Sequence, residues 1–235
     1  MALAHSPKII TDGLVLCLDA ADPKSYPGSG TAWTDRSGNS NHFTLYNSPT
    51  YNTAGYFTFD GVDEYARSSN TIDLTSTDAV TVEVAFRVSS VTINEMIFEH
   101  TANWNGNSGA FGAFSNSRGS WASTPTTDHF IHMNSDAGRL DSGPSDDLTA
   151  FNYNTMLFSN ANGVTHYNNG SQPTIYNDTP SSVTNFANDY TYISTRGGTS
   201  FYGGMDIVFI RIYNRELSTS EILQNYNATK SRFGL

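Results

Sequence analysis

Apolar positions along this chain recur at short, strand-like intervals. Leu14-Val15-Leu16-Cys17-Leu18 is a continuous apolar run closed by Asp19, the pattern of a strand buried on both faces. Tyr56-Phe57-Thr58-Phe59-Asp60-Gly61 reads as a strand that ends in a turn. Val80, Val82, Val84, Phe86 and Val88 alternate with Thr81, Glu83, Ala85 and Arg87, which predicts one face in the core and one wetter. Met96-Ile97-Phe98, Phe130-Ile131-His132-Met133, Phe151 to Phe158 and Tyr190 to Ser194 are further strands by the same reading. Met205 to Tyr213 (MDIVFIRIY) reads as a last strand covered on both sides.

Clusters of Gly, Asn, Ser and Pro separate these runs: Pro27 to Gly30, Ser37 to Asn41, Asn103 to Gly109, Ser142 to Ser145 and Asn168-Asn169-Gly170. Each is a turn or loop by residue chemistry, and strand–turn repeats of this spacing predict a sandwich or barrel. No linker divides the chain, so it reads as one domain over 1–235, with an N-terminal arm over about 1–12. One helix is predicted. Ser218-Thr219-Ser220-Glu221 has capping-box spacing, with Leu217 and Ile222 at the hydrophobic-staple positions. Its buried stripe is expected to be Ile222, Leu223 and Tyr226. The helix should stop near Asn227 or Ala228, before a short basic tail that completes the 218–235 segment.

Composition narrows the function classes. Aromatics make up 13% and charged residues only 14% of the chain, a balance that suits strands and turns. The formal net charge is −10 and Lys and Arg form no cluster, which excludes a nucleic-acid binder and opposes docking on anionic lipid. No apolar stretch reaches the ~20 residues of a membrane span, so no membrane insertion is expected. Cys17 is the single cysteine, sits in an apolar run and reads as a small core group, so folding needs no oxidation and suits a cytosol. The segment MALAHSPKII lacks a signal-peptide hydrophobic core, so release by a route other than a cleaved signal is expected.

The order of motifs resembles the laminin-G-like, concanavalin A-like lectin/glucanase domains. Gly13 to Asp19 matches their opening strand. Trp33-Thr34-Asp35-Arg36-Ser37-Gly38-Asn39-Ser40-Asn41-His42 is similar to their D-x-S-G-N-x-N-H loop, and Phe59-Asp60-Gly61-Val62-Asp63-Glu64-Tyr65 to their F-D-G-x-x-D-Y turn. Val80 to Val88 stands where they carry a strand with Trp at the position of Phe86. Gly203 to Ser218 resembles their G-x-I-D-E-V-R-I-Y-N-R-A-L-S close. The chain departs from the pattern at Phe151-Asn152-Tyr153-Asn154-Thr155, which replaces the usual W-H-H-V strand. The resemblance implies an all-β, two-sheet antiparallel jelly-roll sandwich with one short C-terminal helix. A narrower likeness joins GLVLCLDAADPKSYPGSGTAW and NYNATKSRFGL to structural proteins of tailed, notably marine, bacteriophages. It implies a virion-surface protein made in the host cytoplasm, a capsid decoration or a tail or fibre module. Its partners would be other virion proteins and host-surface or environmental glycans, in a homo-oligomer or alone.

The fold class includes glycoside hydrolases, which need two carboxylates about 5–9.5 Å apart across the scissile bond. The E-x-D-x-E strand spacing is absent. Asp60, Asp63 and Glu64 lie on a turn, and Glu95 and Glu99, four apart, read as surface acids. No G-x-S-x-G elbow, H-E-x-x-H or C-x-x-C occurs, and His129 and His132 point to opposite faces of a strand. The expectation is a non-enzyme. The resemblance implies a Ca²⁺ site formed by Asp35, Asn39 and Asn41 with Asp206, and these oxygen donors suit a hard cation. The competing reading is an Asx-rich turn that caps its own backbone. For sugar contact, the expected set is Trp33, Trp104, Asn105, Trp121 and Tyr202, with Tyr26 nearby. Such aromatics also serve as core lids.

Overall fold

Runs of alternating apolar residues become strands that stack as two sheets. The computed structural model describes residues 8–89, 95–103, 106–115, 129–133, 140–141, 148–171, 174–176 and 185–232. In chain order the strands are β1 (Leu14–Asp19), β2 (Ala32–Trp33), β3 (Phe43–Tyr46), β4 (Thr50–Asn52), β5 (Tyr56–Asp60), β6 (Tyr65–Ser68), β7 (Ile72–Asp73), β8 (Ala79–Val88) and β9 (Glu95–His100). They continue as β10 (Phe111–Ser115), β11 (His129–Met133), β12 (Leu140–Asp141), β13 (Asn152–Ser159), β14 (Gly163–Asn168), β15 (Thr174–Tyr176), β16 (Asn188–Asp189), β17 (Thr191–Ile193) and β18 (Gly204–Tyr213). Helix α1 (Thr219–Thr229) and a 3-10 turn (Lys230–Arg232) follow.

The first sheet has the order β15-β14-β13-β8-β18-β5-β4, with β1 also paired to β18. The second runs β12-β11-β10-β9-β17-β6-β3-β2, and β7 pairs β16 in a small ribbon. The pairings are antiparallel. Between the sheets lie Leu16 and Leu18 of β1, the even-numbered valines and Phe86 of β8, Phe98, Phe111, Phe158, Ile210 and Ile212. The segment that departs from the family pattern is nonetheless strand β13. Its Asn154 Oδ1 meets His166 Nε2 at 2.7 Å in the buried interior, while Tyr153 points to the other face and packs edge-on to Phe209.

The outer face of the first sheet differs from the expectation. Thr81, Glu83 and Ala85 are fully buried, and Cys17 is buried too, because α1 lies across them. The predicted capping box is present. Ser218 caps the helix, its hydroxyl accepts from Glu221 N, and Glu221 reaches back to Ser218 N at 2.9 Å. The predicted stripe is corrected: Leu223 is 46% exposed, whereas Asn225 and Thr229 are buried with Ile222. The helix also runs past Ala228 to Thr229 before tightening.

Asn225 explains why a polar residue faces inward. Arg211 Nη1 lies 3.3 Å from Glu83 Oε2, with side-chain exposures of 2% and 0%. Desolvation raises the Glu83 pKa above its usual range, and the Arg211 charge opposes that shift. Asn225 Nδ2 donates to Glu83 Oε1 at 2.9 Å and to Tyr213 Oη at 3.0 Å, and its Oδ1 accepts from Ile10 N at 2.7 Å. Tyr213 Oη donates to Ile10 O at 3.1 Å. Sheet, helix and arm therefore meet at one polar knot. Removing one member of a buried ion pair costs about 3–5 kcal/mol because the other charge is left unpaired, whereas replacing both by apolar groups is far cheaper. Arg211→Met should therefore lower the urea unfolding free energy by about 3–5 kcal/mol, and adding Glu83→Leu should recover most of the loss.

A second buried ionisable group sits between the sheets. His100 stacks on Phe111 at 5.0 Å, with Nδ1 2.9 Å from Thr191 Oγ1 and Nε2 3.0 Å from Ala187 O. Burial pushes its pKa down to about 4. Between the ordinary histidine value near 6.5 and about 4, the unfolded chain binds a proton that the folded chain does not, so stability falls as pH drops through that window. Denaturant titrations from pH 7 to 4 should lose about 3 kcal/mol from this group, and His100→Gln should flatten the slope over the same range.

Candidate functional site

Among the described residues no helix lies over the outer face of the second sheet, and its strands β3 and β6 alternate cleanly. Phe43, Leu45, Ala66 and Ser68 point inward and are buried, while Thr44, Tyr46, Tyr65 and Arg67 are half-buried on the outside. Register places Tyr46 opposite Tyr65, Thr44 opposite Arg67, and Arg67 opposite Tyr192. Directly opposed residues of an antiparallel pair share a face. The Tyr46 and Tyr65 rings accordingly stack at 4.5 Å with planes 4° apart. Tyr202, on the loop before β18, adds a third ring 6.3 Å from Tyr65, and its hydroxyl is tied to Gly198 O at 2.7 Å. Gly198 has φ +73°, and a Cβ there would lie 3.1 Å from the Tyr65 ring, so glycine lets this loop close against the tyrosine.

Arg67 completes the surface. Its Nη2 donates to Tyr46 Oη at 2.9 Å, and its guanidinium carbon lies 5.3 Å from the Tyr46 ring centre and 4.8 Å from that of Tyr190. Burial raises the Tyr65 and Tyr192 phenols above their ordinary pKa, and Arg67 partly offsets both shifts. The result is a row of hydroxyl-bearing rings, two on strands β3 and β6 and one on the loop before β18, with a guanidinium at one end. Rigid amphipathic rings offer apolar contact area and hydrogen-bonding tips at low entropy cost.

Of the expected sugar contacts, Tyr202 alone joins this surface. Trp104, Asn105 and Trp121 lie outside the described residues. Trp33 is corrected to a core residue. It is fully buried and sits edge-on to Phe57 at 4.8 Å, because strand β2 turns its side chain between the sheets. Tyr26 packs against the same Phe57 and is 5% exposed. Tyr46, Tyr65, Arg67 and Tyr190 were not among the expected contacts; the alternation in Phe43 to Tyr46 and Tyr65 to Ser68 holds a short signal for the first three.

The implied calcium donors do not form one cation site here. Asp35 Oδ1 accepts from Cys17 N and Ser37 N, both at 2.8 Å, and Oδ2 from Ser37 Oγ at 2.7 Å and Asn41 N at 3.0 Å. Four donors fill the lone-pair positions of one carboxylate. Asn39 Nδ2 donates to Leu14 O at 2.9 Å and Asn41 Nδ2 to Val15 O at 2.8 Å, so both amides cap the backbone of β1. Asp206 is held by Thr58 Oγ1 and, at 2.7 Å, by Arg87 Nε. It stands five positions along β18 from Arg211, the register partner of Cys17, or roughly 16 Å from the Asp35 loop's anchor. No cluster of three or more His, Cys, Asp or Glu suited to a metal occurs among the described residues. The loop behaves as an Asx-rich brace. A cavity of about 390 Å³ beside it is lined by acids already paired, Asp19 with Arg232 at 2.6 Å and Asp22 with Arg36 at 3.4 Å.

The two glutamates read as surface acids are also corrected. Glu95 is 5% and Glu99 0% exposed. A bulge at Ile97 places them on opposite faces of β9: Glu95 Oε1 accepts from Gly204 N of the first sheet at 3.1 Å, while Glu99 lies opposite Tyr192 on the outer row.

The sequence matches no protein-family model and no curated protein. Solved structures share the fold. Trypanosoma rangeli sialidase in complex with sialic acid superposes with TM-score 0.69 at 15% identity, over 94% of this chain and 33% of that chain. The receptor-binding domain of the botulinum neurotoxin C/D mosaic serotype gives 0.64 at 14%, over 94% and 52%. Botulinum neurotoxin type C, which enters cells in dependence on two ganglioside molecules, gives 0.62 at 16%, over 93% and 52%. The chain thus spans a third to a half of the structures it resembles. At such identity the likeness defines the fold: a concanavalin A-like, two-sheet antiparallel sandwich with one C-terminal helix.

Because the Asp35 carboxylate satisfies four donors, Asp35→Ala should lower stability by about 2–4 kcal/mol in urea titrations. Millimolar Ca²⁺ against EDTA should leave the wild-type melting temperature within about 2 °C. A larger upward shift with Ca²⁺ would restore the ion-site reading.

Proposed function

We propose that this chain is a non-catalytic, lectin-like adhesion module that binds glycans on the outer face of its second sheet. The observation that carries this reading is the Tyr46–Tyr65–Tyr202 row with Arg67 and Tyr190, a preformed aromatic and hydrogen-bonding surface whose side chains are half-exposed, while helix α1 packs on the other sheet. Ring C–H groups of a sugar suit the aromatic bodies, and its hydroxyls suit the phenols and guanidinium. The ganglioside dependence of botulinum neurotoxin type C and the sialic acid held by the trypanosomal sialidase are consistent with glycan recognition by proteins that contain this fold.

A non-catalytic role is supported by Glu95 and Glu99 lying on opposite faces of β9, where they cannot flank one glycosidic bond. The likeness of the Gly13–Trp33 and Asn225–Leu235 segments to bacteriophage structural proteins supports placing the module on a virion surface, as a capsid decoration or on a tail fibre, next to other virion proteins.

Binding of the purified protein to a broad glycan array tests the reading. Wild type should bind at least one glycan class, and Tyr46→Ala with Tyr65→Ala should weaken that binding by about tenfold or more with an unchanged circular dichroism spectrum. Silent arrays together with a stable oligomer in light scattering would instead favour a structural virion subunit held by protein contacts.

A further inference from the structure

We infer that the glycan bound at this surface is acidic, carrying an isolated carboxylate or sulfate, and that Arg67 is the residue that selects it. The inference rests on the surface being the glycan site proposed above. Acidic residues outnumber basic ones 22 to 12 in this chain, so cations have many carboxylates to choose from. Arg36, Arg87, Arg211, Arg215 and Arg232 each lie within 3.4 Å of one. Arg67 has none among the described residues. Its neighbours are the phenols of Tyr46, Tyr190 and Tyr192. In its own cross-strand row the nearest acid is Glu99, two strands away and thus roughly 10 Å distant. Asp189 is near enough to Tyr192 to raise its phenol's pKa, and its Oδ1 accepts from Tyr190 N at 2.7 Å; it forms no ion pair with Arg67.

Cation–π contacts with two rings hold the guanidinium in place without cancelling its charge. A guanidinium has five N–H donors in a planar fork that matches a carboxylate or sulfate two-point fashion, and a neutral phenol satisfies little of that capacity. An anion arriving from outside supplies what the chain does not. The overall charge of −10 sets the size of that anion, because it repels densely charged polymers. An oligosaccharide with a single charge meets the local cation at less cost.

The test uses immobilised glycans in matched sets, each neutral oligosaccharide beside its sialylated, uronate-bearing and sulfated counterparts. Wild type should prefer acidic members by about tenfold. Arg67→Gln should erase that preference while keeping residual binding and the wild-type melting temperature, and Arg67→Lys should keep part of it. Tyr46→Ala should weaken acidic and neutral members alike. Preference confined to sialylated and uronate members identifies carboxylate as the ligand group, and preference confined to sulfated ones identifies sulfate. Equal binding of neutral and acidic members, unchanged in Arg67→Gln, would overturn the inference and leave the adhesion reading standing. Absence of binding to every member would overturn both.

Discussion

The buried pair Glu83–Arg211, completed by Asn225, is the constraint on which the arrangement of this protein turns. A strand that carries Glu at a central position of a sheet must find it a partner or expose it. Here β18 supplies the cation from the adjacent strand, and α1 supplies the amide that satisfies the remaining carboxylate oxygen. Because Asn225 also bonds Ile10 N, closing the helix onto the sheet fixes the N-terminal arm in the same step. One face of the sandwich is thereby committed to internal packing. The outer surface of the other sheet instead carries the half-buried Tyr46, Tyr65 and Arg67.

Much of the architecture was legible as periodicity. The runs at Leu14, Tyr56, Val80, Met96, Phe151 and Met205 became β1, β5, β8, β9, β13 and β18, and the Ser218–Glu221 spacing marked the helix start. What the pattern could not show was which outer face would be wet. Thr81 and Glu83 look solvent-facing in an alternating strand, and only a helix near the far end of the sequence, at Thr219–Thr229, decides otherwise. The same covering helix explains the error over Leu223. Amphipathic reasoning assumes an apolar floor, but the floor under α1 contains Glu83 and Tyr213, so an asparagine fits better than a leucine.

The candidate site was less legible because aromatic residues carry two meanings. Trp33 belongs to a loop motif, yet the two-residue strand β2 turns it inward against Phe57. Tyr46 and Tyr65 sit in strands of four residues, too short for alternation to stand out, and become neighbours only through the β3–β6 register. The Asp35 loop shows the complementary case. Donor types that suit a cation also suit a backbone, and the three-dimensional count of N–H groups around one carboxylate decides between them.

The knot at Asn225 also sets how mechanical load would travel. Residue 8 meets the helix through Gln224, whose amide nitrogen donates to Lys8 O at 2.7 Å, and Arg232 at the helix end clasps Asp19 at the end of β1. The chain therefore joins and leaves the sandwich side by side, on the surface opposite the tyrosine row. Tension applied through both junctions would be borne by side-chain clasps between arm and helix, which peel one after another, before it reached the hydrogen-bond ladder of β1 and β18. The tyrosine-bearing strands β3 and β6 lie outside that force path, so a copy held by both junctions would keep the Tyr46–Tyr65 pair in register while the clasps yielded.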